Sequence, residues 1–142
     1  MDRTFPPLVL AVCLLLGACS GSDESRAEAC PAPTPLDSLS LLPRDIPLDE
    51  WGVVETLEVT KGFLRGRAVS DTQIVELYPV MARATVAAGY EILSGDNEGF
   101  EAEIFFVRGE DTTGTYVLRE GPCGDQVTIR LLYGSKRYRE AS

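Results

Sequence analysis

The sequence predicts an α+β fold in which an antiparallel sheet carries one long helix packed on one face, in the order ββ-α-ββββ. Short runs of alternating apolar and polar residues occur before and after a single stretch of helical periodicity. Short connections rich in Gly, Asp and Asn separate these runs. A helix laid across the apolar face of such a sheet buries both amphipathic surfaces.

The first two strands are predicted to form a hairpin. Residues 53–59 alternate between apolar and polar, Lys61-Gly62 is typical of a tight turn, and residues 63–69 supply the partner strand. Two segments that contain proline precede them, Leu41-Leu42-Pro43 and Ile46-Pro47-Leu48. Because proline disfavours helix at the residue before it, we expect an extended lead-in there.

The helix is predicted to follow this hairpin. Ser70-Asp71-Thr72-Gln73 fits a capping box with Ser70 as N-cap, and Gly89 ends the helical periodicity as the C-cap. Pro79 lies in the middle of the run and removes one backbone hydrogen bond. We therefore expect a kink or a break near residues 76–78.

Four strands are predicted after the helix, at residues 90–93, 100–108, 115–120 and 126–133. Alternation in the second and fourth of them assigns one face to apolar side chains, namely Phe100, Ala102, Ile104, Phe106, Val127, Ile129, Leu131 and Tyr133. The opposite face carries polar side chains, among them Glu101, Glu103, Thr128 and Arg130. One face of the sheet is therefore expected to be core and the other to face water.

The amino terminus has the residues of a secretory signal. An apolar run from Leu8 to Leu16 follows the basic Arg3 and is too short to span a bilayer. Gly17 and Ala18 are small, and Cys19 comes directly after them. This arrangement resembles the lipobox of bacterial lipoproteins. In that family the cysteine is diacylated, the signal is cut before it, and the new amino terminus is usually acylated as well.

The resemblance implies a lipoprotein signal peptide (1–18) and a lipidated Cys19. Because the next residues are rich in Ser, Gly and Pro and bury little apolar surface, we expect a lipidated tether (19–38) and then a single α+β domain (39–142). Acylated Cys19 would anchor the protein to a membrane, since two or more acyl chains hold a protein stably. The expected location is the bacterial cell envelope outside the cytoplasm. By resemblance to lipoproteins of two-membrane bacteria, a residue other than Asp after the cysteine, here Ser20, implies the outer membrane where the source has one. The alternative is an ordinary secretory signal with Cys19 near its cleavage site by chance.

The remaining cysteines predict a disulfide. Cys13 leaves with the signal and Cys19 takes the lipid, so Cys30 and Cys123 are left outside the cytosol, where disulfides persist. Their pairing closes a loop of roughly 90 residues, which the chain-entropy model values at about 4–5 kcal/mol. The alternative is a catalytic or metal-binding thiol, which is disfavoured because the chain has no histidine.

Composition argues against an enzyme and against nucleic acid. The net charge of −9 is opposite to what phosphates require, and it favours cationic partners or simply solubility. The lack of histidine excludes Ser-His-Asp and Cys-His triads. Asp96-Asn97-Glu98-Gly99 lacks the spacing of a calcium loop. We therefore predict no catalytic residue, no metal and no cofactor.

A partner contact is predicted on the wet face of the sheet. Alternation places Phe105 beside Glu101 and Glu103, which makes this aromatic the best single candidate. Arg65 and Arg67 share a strand face, where we expect them to pair with neighbouring acids. Other aromatics are assigned to the core: Trp51, Phe63, Tyr90, Phe100, Phe106 and Tyr116.

The predicted function is that of a membrane-anchored, non-catalytic module that binds another envelope or secreted protein. The alternative is a lipoprotein that binds a small apolar ligand in a pocket between helix and sheet, opened by a kink at Pro79.

A second resemblance covers most of residues 40–133. The segment Leu42-Pro43-Arg44-Asp45-Ile46-Pro47-Leu48, with Glu76-Leu77-Tyr78 in a helix that ends Ala87-Ala88-Gly89-Tyr90, is similar to small uncharacterised bacterial lipoproteins. In these a proline-flanked lead-in precedes a hairpin, a helix ending in Gly plus an aromatic residue, and a meander. The resemblance implies this architecture and no activity. Pro79 departs from its uninterrupted helix.

Overall fold

A six-stranded antiparallel sheet forms the centre of the protein. The computed structural model describes residues 31–140. In chain order its elements are α1 (Leu48–Trp51), β1 (Val53–Thr60), β2 (Phe63–Ser70), α2 (Ile74–Ala87), β3 (Glu91–Asn97), β4 (Glu101–Arg108), β5 (Thr112–Glu120), β6 (Val127–Gly134) and α3 (Lys136–Arg139). The strands lie in the order β1-β2-β6-β5-β4-β3.

The α+β class is confirmed, but the prediction of one long helix and of the order ββ-α-ββββ is wrong. Helical residues are divided among three helices, of which α2 has 14 residues and α1 and α3 have four each. The order is therefore α-ββ-α-ββββ-α. A four-residue helix shows no periodicity in sequence: α1 forms because Leu48 and Trp51, three residues apart, both reach the core from one turn.

Two turns agree with the sequence prediction. Lys61 and Gly62 both have positive φ, 52° and 78°, as a type I′ hairpin turn requires. Gly89 has φ 84° and ends α2 in a Schellman motif. In this motif the Gly89 amide donates to the carbonyl of Val86 and the Tyr90 amide donates to that of Thr85, at 2.9 and 3.2 Å.

The predicted start of the helix is wrong. Ser70 is the last residue of β2, and its hydroxyl accepts a hydrogen bond from the Thr72 amide at 3.2 Å. Gln73 stands at the N-cap and makes no side-chain capping bond. Pro79 lies inside α2, and the helix continues through it from Ile74 to Ala87. The proline therefore does not split the helix.

All three helices cover the same face of the sheet. Leu48 of α1 lies over Gly66, the Tyr78 hydroxyl of α2 lies over Gly95, and both glycines belong to one register row. Tyr138 of α3 packs edge-on against Tyr133, 5.9 Å between ring centroids. This face holds the core, and the lead-in joins it through a hydrogen bond from the Leu36 amide to the carbonyl of Val54, 2.8 Å.

A chain of aromatic contacts crosses this core. Successive ring centroids lie 4.7–6.4 Å apart along the series Trp51, Tyr116, Phe106, Tyr90, Tyr133 and Tyr138. Gly114 makes room for it, since a Cβ at this position would lie 2.3 Å from Cζ of Phe106. Trp51, Tyr90, Phe106 and Tyr116 are buried as predicted. Phe63 and Phe100 are exposed, which corrects their assignment to the core.

The hydroxyl of Tyr116 is an unsatisfied group in this core. The residue is fully buried, and its hydroxyl has no hydrogen-bond partner within residues 31–140. Burial raises the pKa of Tyr116. The nearby Thr85 hydroxyl does not bond to it, because Thr85 donates to the carbonyl of Met81 at 2.8 Å.

Candidate functional site

The face of the sheet opposite the helices, called here the open face, carries outward side chains from all six strands. Residues paired in register define two central rows across it. The first row consists of Thr56, Arg67, Arg130, Val117, Glu103 and Asp96. The second consists of Glu58, Arg65, Leu132, Thr115, Phe105 and Ser94.

In the part of the chain that the structure describes, no helix covers the open face. A shallow trough of about 540 Å³ runs over both central rows. Leu132, which is 42% exposed, and the half-buried Val117 form its apolar middle, and the half-buried Phe105 lies beside the trough on β4. The open face therefore presents a broad surface with an apolar centre and charged sides.

Charge is divided across the open face. A basic half on β2 and β6 carries Arg65, Arg67 and Arg130, and an acidic half on β4 and β3 carries Glu103 and Asp96. The edge strand β1 adds one acid, Glu58, opposite Arg65. Arg67 lies directly opposite Arg130. Like charges that face each other on neighbouring strands destabilise a sheet, so this pairing is a candidate for a functional role.

Two ion pairs neutralise part of this charge. Arg67 binds the carboxylate of Glu55 on β1. Arg119 of β5 binds Glu101 of β4 through two contacts, Nε to Oε2 at 2.8 Å and Nη2 to Oε1 at 3.1 Å. Glu101, one of the predicted contact residues, is therefore already engaged within the protein.

Five charged side chains of the two central rows remain free. They are exposed and form no ion pair with any other residue between 31 and 140, namely Arg65, Arg130, Glu58, Glu103 and Asp96. The expectation that Arg65 pairs with a neighbouring acid is wrong, although Glu58 lies opposite it in register. These free charges are available to a partner.

The structure places the three predicted contact residues, Phe105, Glu101 and Glu103, on the same face, as alternation predicts. Their role as partner contacts stays a prediction. Sequence reasoning missed Leu132, although the assignment of Leu131 and Tyr133 to the core already implies that Leu132 points the other way.

A second polar cluster lies at the border of the core. The Tyr90 hydroxyl donates a hydrogen bond to Oδ2 of Asp45 at 2.8 Å and lies 3.1 Å from the hydroxyl of Tyr133. Arg108 forms an ion pair with Asp45, and its guanidinium lies 4.3 Å from the centroid of the Tyr90 ring. The cluster ties the lead-in to the sheet.

This cluster is not poised for acid–base chemistry near neutral pH. Burial raises the pKa of Asp45, but hydrogen bonds from Tyr90 and Arg108 outweigh it and bring the pKa below the ordinary 3.8. Burial, together with bonds to Tyr133 and Asp45, raises the pKa of Tyr90. Asp45 is therefore held as a carboxylate and Tyr90 as a neutral phenol, so neither exchanges a proton readily.

The turn between β5 and β6 carries Cys123, which is disulfide-bonded. Cys19 and Cys30 lie outside the described residues, so lipidation of the one and pairing of the other stay predictions. Ala32, two positions after Cys30, lines the same cleft of about 720 Å³ as Gln126.

In the segment 96–99, which was considered above as a calcium site, side-chain oxygens accept hydrogen bonds from neighbouring backbone amides. The amide of Asn97 donates to Oδ1 of Asp96 at 2.8 Å, and the amide of Gly99 donates to Oδ1 of Asn97 at 3.0 Å. Among residues 31–140, no three Cys, Asp or Glu side chains come together as a metal site. None of the helices in this range is long and apolar enough to cross a membrane.

Comparison with known proteins gives no family. No family model matches the chain. No curated protein matches it either.

Proposed function

We propose that this protein is a non-catalytic lipoprotein of the bacterial cell envelope that binds another protein through the open face. The observation that carries the interaction is an apolar centre at Leu132, Val117 and Phe105, bordered by free charges and left uncovered by residues 31–140. Recognition surfaces of proteins commonly combine an apolar centre with a polar rim.

The anchor is supported by the order of residues before Cys19. The amide of Thr34 donates to Oε1 of Glu55 on β1 at 3.4 Å, and Thr34 follows Cys19 by 15 residues. Such a length of chain reaches at most about 50 Å when fully extended. A bridge from Cys30 to Cys123 would shorten the free length to about 37 Å. An acylated Cys19 would therefore keep the domain close to its membrane.

A non-catalytic role is supported by the chemistry of the polar groups. The sequence contains no histidine, and the cluster around Asp45 and Tyr90 holds both groups in fixed protonation states. The acidic surface does not suit nucleic acid.

The alternative of a small apolar ligand between helix and sheet has less support. Two clefts of residues 31–140, of about 720 and 540 Å³, are lined by no residue of α2. The side chains of α2 that face the sheet, Ile74, Leu77 and Met81, are buried against it. A protein partner on the open face is therefore the better-supported function.

Intact mass and membrane fractionation test the anchor. The natively expressed protein should begin at Cys19, carry acyl chains and be two hydrogens lighter through a bridge between Cys30 and Cys123. Cys19→Ala should release the chain from the membrane fraction. An unacylated parent protein found in the medium would overturn the anchor.

Site-specific photo-crosslinking tests the interaction. A photoreactive phenylalanine replaces Thr115, in the centre of the open face, in one variant of the full chain, and Arg83 on the exposed surface of α2 in the control. Irradiation of intact membranes should give a protein adduct at position 115 and none at position 83. Equal yields at both positions, or no adduct at 115, would refute the open face as an interaction surface.

A further inference from the structure

We infer that the partner of the open face is a second copy of this chain, bound face to face about a two-fold axis that runs parallel to the strands between β5 and β6. This inference rests on the proposed function, because it identifies the partner of the same surface. Closed two-fold pairing is the commonest way in which a protein binds itself.

The strand order makes the open face self-complementary about this axis. The axis passes through the middle of the order β1-β2-β6-β5-β4-β3, with three strands on each side. A half-turn about it lays β2 of one copy over β4 of the other, and β6 over β5. Because the axis runs along the strands, each register row of one copy faces the same row of the other. The basic half of one copy therefore meets the acidic half of the other.

The residues that meet are complementary in charge and chemistry. In the first row Arg67 faces the partner's Glu103, and Arg130 stands one strand away from the same carboxylate. In the second row Arg65 faces the partner's Phe105, where a guanidinium over an aromatic ring is attractive. The two-fold axis produces each of these contacts twice.

The crosswise orientation lacks this complementarity. If the two-fold axis ran perpendicular to the strands, each strand would face the same strand of the partner. The first row of one copy would then face the second row of the other. Arg67 would then face the partner's Arg65, since both lie on β2. Repulsion between desolvated like charges disfavours that arrangement. The charge pattern therefore selects one orientation.

The proposed pairing also accounts for the like-charged register pair Arg67 and Arg130. Within one copy these two residues lie opposite each other on neighbouring strands, and Glu55 binds only Arg67. In the pair, the partner's Glu103 adds a carboxylate beside both. Facing sheets lie about 10 Å apart and are rotated by about 30°, which arginine and glutamate side chains are long enough to bridge.

The contact area predicts a weak pair. Four central strands at about 4.8 Å spacing, with four rows about 7 Å apart, give about 500 Å² on each copy, or about 1,000 Å² in total. This is at the lower limit for a specific interface. Anchoring both copies to one membrane would raise their effective concentration and favour the pair.

Charge exchange tests the inference in the full chain. Arg67→Glu and Glu103→Arg each place like charges directly opposite each other across the interface, while the double variant restores the attraction with the signs reversed. Arg83→Glu and Glu76→Arg, on the exposed surface of α2, are the matched controls. Crosslinking from position 115 in membranes and sedimentation equilibrium of the detergent-solubilised protein measure the pairing.

We expect an adduct of twice the chain mass that contains this chain alone. Each single reversal should weaken self-association by roughly tenfold or more, the double variant should recover it, and the controls should leave it unchanged. Failure of the double variant to recover would overturn the face-to-face pairing. An adduct with a different protein would overturn it as well, but would leave the proposed function standing. The absence of any adduct would overturn both.

Discussion

Replacing Tyr116 by phenylalanine is expected to stabilise this protein. The hydroxyl of Tyr116 is fully buried and has no hydrogen-bond partner within residues 31–140. A buried hydroxyl without a partner costs about 1–3 kcal/mol, because it gives up its bonds to water. Deleting the oxygen leaves a void of about 10 Å³, which at about 24 cal/mol per Å³ costs about 0.2 kcal/mol.

The net expectation for Tyr116→Phe is a gain of about 1 kcal/mol in the free energy of unfolding. For a domain of this size that gain raises the melting temperature by about 4 °C. Urea unfolding followed by tryptophan fluorescence suits the measurement. The chain has one tryptophan, Trp51, and its ring lies 5.3 Å from that of Tyr116.

The same chemical change at Tyr90 provides the matched comparison. Its hydroxyl bonds to the carboxylate of Asp45 and to the hydroxyl of Tyr133, so Tyr90→Phe should destabilise by about 2 kcal/mol. A gain in the free energy of unfolding for Tyr116→Phe together with a loss for Tyr90→Phe would confirm that the effect of deleting a buried hydroxyl depends on whether it has a hydrogen-bond partner. A loss of 1 kcal/mol or more in Tyr116→Phe would refute the reasoning, since it would mean that this hydroxyl has a partner.

Three further substitutions probe single contacts. Asp45→Asn should lower the free energy of unfolding at neutral pH. The difference from the parent protein should vanish as the pH falls through the depressed pKa of Asp45. The reason is that a carboxyl group with a lowered pKa in the folded state stabilises the fold only while it is ionised. Gly114→Ala should cost about 1–3 kcal/mol in urea unfolding, because the new methyl group forces the Phe106 ring to move. Gly89→Ala should cost about 1 kcal/mol, since its φ of 84° strains alanine while the space around it is open.

Each of these three substitutions has a control variant. Asp71→Asn, at an exposed turn, should change the unfolding free energy by less than about 0.5 kcal/mol. Phe106→Leu combined with Gly114→Ala should lose less than the sum of the single variants, and strict additivity would contradict the proposed clash. Gly89→Asn should retain most of the stability because asparagine tolerates positive φ, and a loss equal to that of alanine would contradict the backbone argument.

The sequence predicts local features well because their causes are local. Lys61-Gly62 and Gly89 are read correctly because a positive φ is the property of one residue. The capping box at Ser70 fails because β2 extends to that serine through its pairing with Val127, a distant interaction that overrides the local preference.

Only part of the candidate site can be predicted from the sequence, for a similar reason. Alternation along one strand places Phe105 and Glu103 on the open face. The meeting of Arg67 with Arg130, and hence the basic half, depends on β6 entering the sheet beside β2. Strand order follows from how whole elements pack, which periodicity within a strand does not specify.

The position of β6 has a consequence for how the chain folds. The β1–β2 hairpin and the β3–β4–β5 meander are each built from neighbours in sequence, and β6 joins them by pairing with β2 on one side and β5 on the other. Phe63 pairs with Gly134, near the end of the chain. Contacts of such sequence separation slow folding. During synthesis the hairpin and the meander each keep an unpaired edge until β6 has left the ribosome and completes the sheet.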